Sequence, residues 1–160
     1  MTEDKTFTLA EAHKHFAIKT NGETWQLLEK KERTSIEDEI LIHLAHASCY
    51  HWLQVGTGLH HQRAEWLLSH TYAEIGIADA ALKHAKLCRD LTEEFKDLMQ
   101  DFDVAYSHEA MARACACAGE LSDALLHRQK AEAMGHAIAD EKDRKIFMLD
   151  LNSGKWYGLN

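Results

Sequence analysis

Twelve histidines and four cysteines stand among 26 carboxylates in a chain of 160 residues. Side chains of these types hold metals, move protons and act as nucleophiles. Two ligands on one helix face must lie three or four residues apart. Glu11/His15, His46/Cys49, His61/Glu65, His70/Glu74 and His84/Cys88 satisfy that spacing. The four residue types make up about a quarter of the chain, so chance alone supplies about 13 such pairs. The spacing therefore assigns no metal ligand. His108-Glu109 has Ala112 where a zinc metalloprotease helix places its second histidine. Gly56-Thr57-Gly58 lacks the third glycine and the preceding strand of a dinucleotide loop. Neither a phosphate-loop lysine motif nor a Gly-x-Ser-x-Gly elbow occurs. No catalytic residue, metal or cofactor is assigned from motifs. Cys49, Cys88, Cys115 and Cys117 are read as free thiols, because Cys115 and Cys117 point in different directions from one helix.

The charge balance narrows the partners. Eighteen basic residues against 26 acidic ones give a net charge of −8 with neutral histidine. A phosphate-binding surface needs the opposite balance, so nucleic acid is excluded as a partner. An anionic membrane surface is excluded for the same reason. Apolar runs such as Ile40-Leu41-Ile42 are too short to span a bilayer. The opening Met1-Thr2-Glu3-Asp4-Lys5 lacks the basic-then-apolar order of a leader, and a cytoplasmic location is expected. Protonating all twelve histidines would carry the charge from −8 to +4, so its sign should change between about pH 7 and pH 5.

The elements that position these residues are helices. The chain contains no proline, which favours long helices with short links. Thr8-Leu9-Ala10-Glu11 and Thr34-Ser35-Ile36-Glu37 are capping boxes that start two helices. The first runs to about Lys30, with a bend allowed at Asn21-Gly22. The second carries two apolar stripes (Ile36, Ile40, Leu44, Ala47 and Leu41, Ala45, Ser48, Trp52) and is expected to sit centrally. A third helix covers 59–75, and a fourth 78–98. A fifth begins at a cap on Asp101 or Asp103 and ends at Gly119. A sixth covers 122–134, and a seventh runs from Asp140 to about Leu151. The apolar tail Trp156-Tyr157-Gly158-Leu159 is expected to fold back on the last helices.

One pattern recurs at a spacing of 43 residues. Gly76, Ala81, Leu82 and His84 match Gly119, Ala124, Leu125 and His127. Such self-similarity marks a stacked helical repeat. The first copy reads Glu65-x-x-Leu68-Ser69-x-x-Tyr72, then Gly76, Ala81, Ala85 and Cys88. The second reads His108-x-x-Met111-Ala112-x-x-Cys115, then Gly119, Ala124, Arg128 and Ala131. These residues resemble the tetratricopeptide family over about 60–135. The repeat is longer than that family's, Glu65 and His108 replace its buried aromatic, and its final proline is missing. The whole chain also resembles bacterial helical-repeat proteins whose function is not established. The resemblance implies an all-α fold of stacked antiparallel helix pairs in a right-handed superhelix, with about seven helices. The organisation is then one domain over 1–160: a hairpin over 8–56, two repeat-like pairs over 59–98 and 101–135, and a capping helix and tail over 140–160.

That family uses the first helix of each pair to line a concave groove for a protein or peptide. The corresponding faces here carry Arg63, Trp66, His70 and Glu74, then Tyr106, Glu109 and Arg113. Trp66 would anchor an apolar group, the arginines would clamp an anion, and Glu109 would orient the ligand. A homo-oligomer could complete so short a groove. Glu65 and His108 hold equivalent positions and are expected to face one another as a buried polar pair. The alternative is an enzyme, dependent on a metal or small molecule, with a pocket at His51, Glu65, His70, His108 and Glu109. An enzyme needs those groups in one cavity, whereas a scaffold spreads them along an open groove.

Overall fold

The computed structural model describes residues 6–159. The opening segment 1–5 and Asn160 lie outside the described residues. The fold is all-α: α1 (Leu9–Leu28), α2 (Ser35–Val55), α3 (Gly58–Ile75), α4 (Ala78–Glu94), α5 (Asp101–Cys117), α6 (Leu121–His136) and α7 (Glu141–Leu151). The helices pack chiefly as consecutive pairs, α1 with α2, α3 with α4 and α5 with α6. Between pairs, α2 meets α3, α4 meets α5, and α3 meets α5; α7 closes against α5 and α6.

Both threonine capping boxes form. Thr8 Oγ1 accepts from the Glu11 N–H at 3.2 Å, and Thr34 Oγ1 from the Glu37 N–H at 3.2 Å. Each such cap stabilises its helix by about 1 kcal/mol. The first helix runs unbroken through Asn21-Gly22. The two repeat-like pairs turn identically. Gly76 and Gly119 adopt φ of 89° and 77°, and the next N–H reaches back to Tyr72 O (2.9 Å) and Cys115 O (2.9 Å). This helix ending requires the left-handed conformation that glycine adopts without a Cβ penalty.

Three sequence expectations need correction. The fourth helix stops at Glu94 and passes into a 3-10 turn over Lys96–Leu98. Phe95 leaves the helix to pack on Gly58, where a Cβ would meet its ring at 2.2 Å. The cap of α5 is Gln100; Asp103 sits inside the first turn and accepts the Gln100 N–H at 2.9 Å. Only one apolar stripe of α2 is buried. Leu41 and Ala45 lie in the interior, whereas Ile36 is 67% and Ile40 45% exposed, because α2 belongs to the end pair.

The interior is built from small residues. Ser69, Ala81, Ala112 and Ala124 are fully buried. The buried residues of α5 include Asp103, His108, Glu109 and Arg113. The tail folds back as expected. Trp156 is 5% exposed and lies between the Arg113 and Arg128 guanidinium groups at 4.2 and 4.3 Å.

Candidate functional site

A groove runs along α1, α3, α5 and α7. It consists of two joined pockets of about 450 and 270 Å³, which share Trp25, Trp66 and Asp150. The larger is lined by Arg63, Phe102, Asp103, Tyr106 and Ile146 as well. The smaller adds Leu28, Glu29, His70, Glu74 and Ser153.

Aromatic rings form the wall. Trp66 stacks on Trp25 at 5.8 Å and on His70 at 5.1 Å. Its edge contact with Tyr106 is 5.1 Å, and Tyr106 in turn meets Phe147 at 4.7 Å. Helical spacing sets this wall: Trp66 and His70 lie one turn apart on α3, and Arg63 lies one turn before Trp66. Trp66 is further fixed by its Nε1–H, which donates to Glu109 at 2.9 Å. Tyr106 donates its hydroxyl to Asp150 at 2.5 Å.

The charges divide along the groove. Arg63 donates two hydrogen bonds to Asp103, at 2.8 and 3.0 Å, and leans over Phe102. Asp103 is buried while Arg63 is half exposed, so this bidentate pair is anchored on one side and open on the other. At the other end stand Glu29, Glu74 and Asp150. Burial pushes the Asp150 carboxyl above the usual carboxylate range, with Glu109 adding to the effect, although Tyr106 and Arg113 oppose it. Burial, followed by Arg113, pushes the His70 imidazole down to about 4. Its Nδ1 is closed to solvent and has no hydrogen-bond partner among the described residues.

Arg63, Trp66, His70, Glu74 and Tyr106 therefore share one groove, as the sequence spacing suggested. Glu109 and Arg113 do not line it. Each is 1% exposed, and they pair with one another. Two further Arg113 N–H groups reach Asp150 O at 2.6 Å and Lys155 O at 3.3 Å. The C-terminal tail covers this arginine, so it lies beneath the tail and does not line the groove. Glu65 and His108 do not pair either. Glu65 accepts from His84 at 2.6 Å, and His108 meets His127 at 3.0 Å beside Arg89. The partner of each lies across its own helical pair, 19 residues on, and not in the neighbouring repeat.

The residues of the enzyme alternative are dispersed. His51 meets His13 at 2.8 Å, while Glu65, His108 and Glu109 have the separate partners just named. Among the described residues no group of three or more His, Cys, Asp or Glu side chains is arranged to hold a metal ion. The buried thiols are unreactive in type: burial, then Glu65, pushes Cys49 up to about 12.

Sequence spacing missed Trp25, Phe102, Asp103, Ile146 and Asp150. Trp25 and Asp150 are 125 residues apart and lie outside the repeat. Asp103 had a local signal, since it stands three residues before Tyr106 on α5, as Arg63 stands three before Trp66 on α3.

The chain matches no protein-family model, no curated protein and no solved structure. Among the described residues no helix is long and apolar enough to cross a membrane. Function is argued from the groove itself.

Proposed function

We propose that the chain is a tetratricopeptide-like scaffold that holds an extended segment of a protein partner in the groove of α1, α3, α5 and α7. The continuous aromatic wall carries this reading: Trp25, Trp66 and Tyr106 leave apolar ring surface open to an occupant, with polar groups at both ends. Binding hot spots favour tryptophan, tyrosine and arginine. The groove has the right length. From Asn21 on α1 to its C-cap Glu29 the wall spans about 12 Å at 1.5 Å per residue, enough for about three to four extended residues. The family reading is supported by the small buried residues Ser69, Ala81, Ala112 and Ala124, and by identical glycine turns 43 residues apart. Arg63, already oriented by Asp103, offers its exposed edge to a carbonyl or carboxylate of the segment.

Site-specific crosslinking tests this. A photoreactive residue replaces Asn21 on the groove rim or Leu125 on the exposed outer face of α6. Mass spectrometry after irradiation in cells should find one partner segment joined at position 21 and absent at 125. Trp66→Ala should remove that adduct while the far-ultraviolet circular dichroism stays unchanged. Equal adducts at both positions sink the groove reading.

A further inference from the structure

The smaller end of the groove carries a chemical preference. Its lining includes three carboxylates, Glu29, Glu74 and Asp150, beside Trp25 and Trp66, and it has no lysine or arginine. The cations nearest to it are already engaged. Arg113 pairs with Glu109, and Arg33 donates to Asp38 at 2.7 Å. Lys155 donates from Nζ to the Glu74 backbone carbonyl at 2.8 Å. His70 stays neutral near pH 7, so it adds no positive charge.

The carboxylates keep capacity to accept. Asp150 Oδ2 receives the Tyr106 hydroxyl, and none of the described side chains donates to Oδ1. Glu74 Oε1 receives the Lys155 backbone N–H at 3.2 Å, and Oε2 has no donor among the described residues. A carboxylate has about four lone-pair sites, so each can accept a further donor. Tryptophan rings attract a cation through the negative face of the π system. An ammonium or guanidinium group in this pocket would meet ring faces and free acceptors together.

Resting on the groove reading above, we propose that the partner segment places a lysine or arginine side chain in the pocket of Trp25, Trp66, Glu74 and Asp150, and an adjacent large apolar side chain in the pocket of Phe102, Tyr106 and Ile146. The two pockets share Trp25, Trp66 and Asp150, so neighbouring side chains of one extended segment reach both. The basic side chain keeps its stem on the rings and its charged head among the carboxylates. The net charge of −8 speeds the approach of such a segment.

The test is selection from a display library of random eight-residue peptides on the immobilised full chain, followed by titration of the enriched peptides as capped synthetic forms. Enriched sequences should share one lysine or arginine within two residues of a leucine, phenylalanine or tryptophan. Replacing that basic residue by norleucine should weaken binding at least tenfold. Asp150→Asn, which keeps an acceptor for Tyr106, should abolish most of that discrimination, and Glu74→Gln should reduce it. Binding of the basic peptide should also fall steeply with salt. Enriched peptides that bind in the groove equally well with norleucine overturn the cation assignment and leave the groove reading standing. A library that yields no peptide sensitive to Trp66→Ala overturns both.

Discussion

Glu65 and His84 join α3 to α4 in the same way that His108 and His127 join α5 to α6, 43 residues further on. The two histidines of α4 and α6 are equivalent, but their partners differ. In the first pair the Glu65 carboxylate accepts a hydrogen bond from His84 Nδ1 at 2.6 Å and one from the Cys49 thiol at 3.8 Å. In the second, two imidazoles meet at 3.0 Å, with Arg89 against the His108 ring and Lys130 nearby. Burial first, then Arg89, His127 and Lys130, pushes His108 down to about 4. The same backbone frame thus sets a histidine against a carboxylate in one copy and against a second histidine beside an arginine in the other. Fold geometry sets which positions meet; the side chains at those positions set the chemistry of the contact. The groove repeats this lesson at positions 70 and 113. His70 is neutral and open to the smaller pocket, whereas its equivalent, Arg113, is charged and buried, and needs Glu109 and two backbone carbonyls to be tolerated.

The largest break in this comparison is Arg113→Met. It strands the buried Glu109 carboxylate and frees the tail, so denaturant unfolding should show a loss of about 3–5 kcal/mol. Pairing it with Glu109→Gln should restore more than half of that loss. If the double variant is no better than the single one, the charge pair is not the reason for the cost. The equivalent His70→Leu should cost far less, since it removes no ionic partner.

Acid should act next. His70 and His108 lie near 4 in the fold, below the ordinary value of about 6.5 in the unfolded chain. The unfolded chain therefore binds more protons between those values, and stability is full above pH 6.5 and falls toward pH 4. His70 alone should account for about 2 kcal/mol of that loss by pH 5, and the buried His108 should add to it. Unfolding midpoints measured across that window check the sign, and a flat profile from pH 7 to 5 contradicts it.

Exchanging the partners sharpens the contrast. His108→Glu supplies the second pair with the carboxylate of the first, opposite Arg89 and His127. It should raise stability by about 1–2 kcal/mol, or several degrees in Tm, and should shrink the acid loss. Glu65→His should do the reverse. Smallest are Gly76→Ala and Gly119→Ala, each costing about 1 kcal/mol because both turns need the left-handed backbone. Near-equal values from thermal melts would show that the two turns are energetically equivalent, and a difference above 1 kcal/mol would show that they are not.

The partnership across each pair was legible before any coordinates. Glu65 and His84, like His108 and His127, stand 19 residues apart, and the repeated Ala-Leu-x-His marks the second member in both. The expectation of a Glu65–His108 contact instead joined equivalent positions of neighbouring repeats. Those positions lie in parallel faces that turn toward their own second helices. Arg63, Trp66 and His70 could be put on one face from the sequence because i, i+3 and i+4 spacing is local to one helix. Arg113 has the same local spacing from Glu109, and nothing local distinguishes a groove arginine from one that will be covered.

The amino-acid sequence alone determined the helical class, the two threonine caps, the glycine stops and the small residues at the close contacts. Each depends on backbone preference and side-chain size within a few neighbouring residues. The tertiary structure decided which charges face the groove. Trp25 comes from the first helix and Asp150 from the last, and the tail from Gly154 to Leu159 seals Arg113 from the groove. Burial is a property of what packs above a side chain, and here the covering residues come from distant parts of the chain, beyond the reach of helical periodicity.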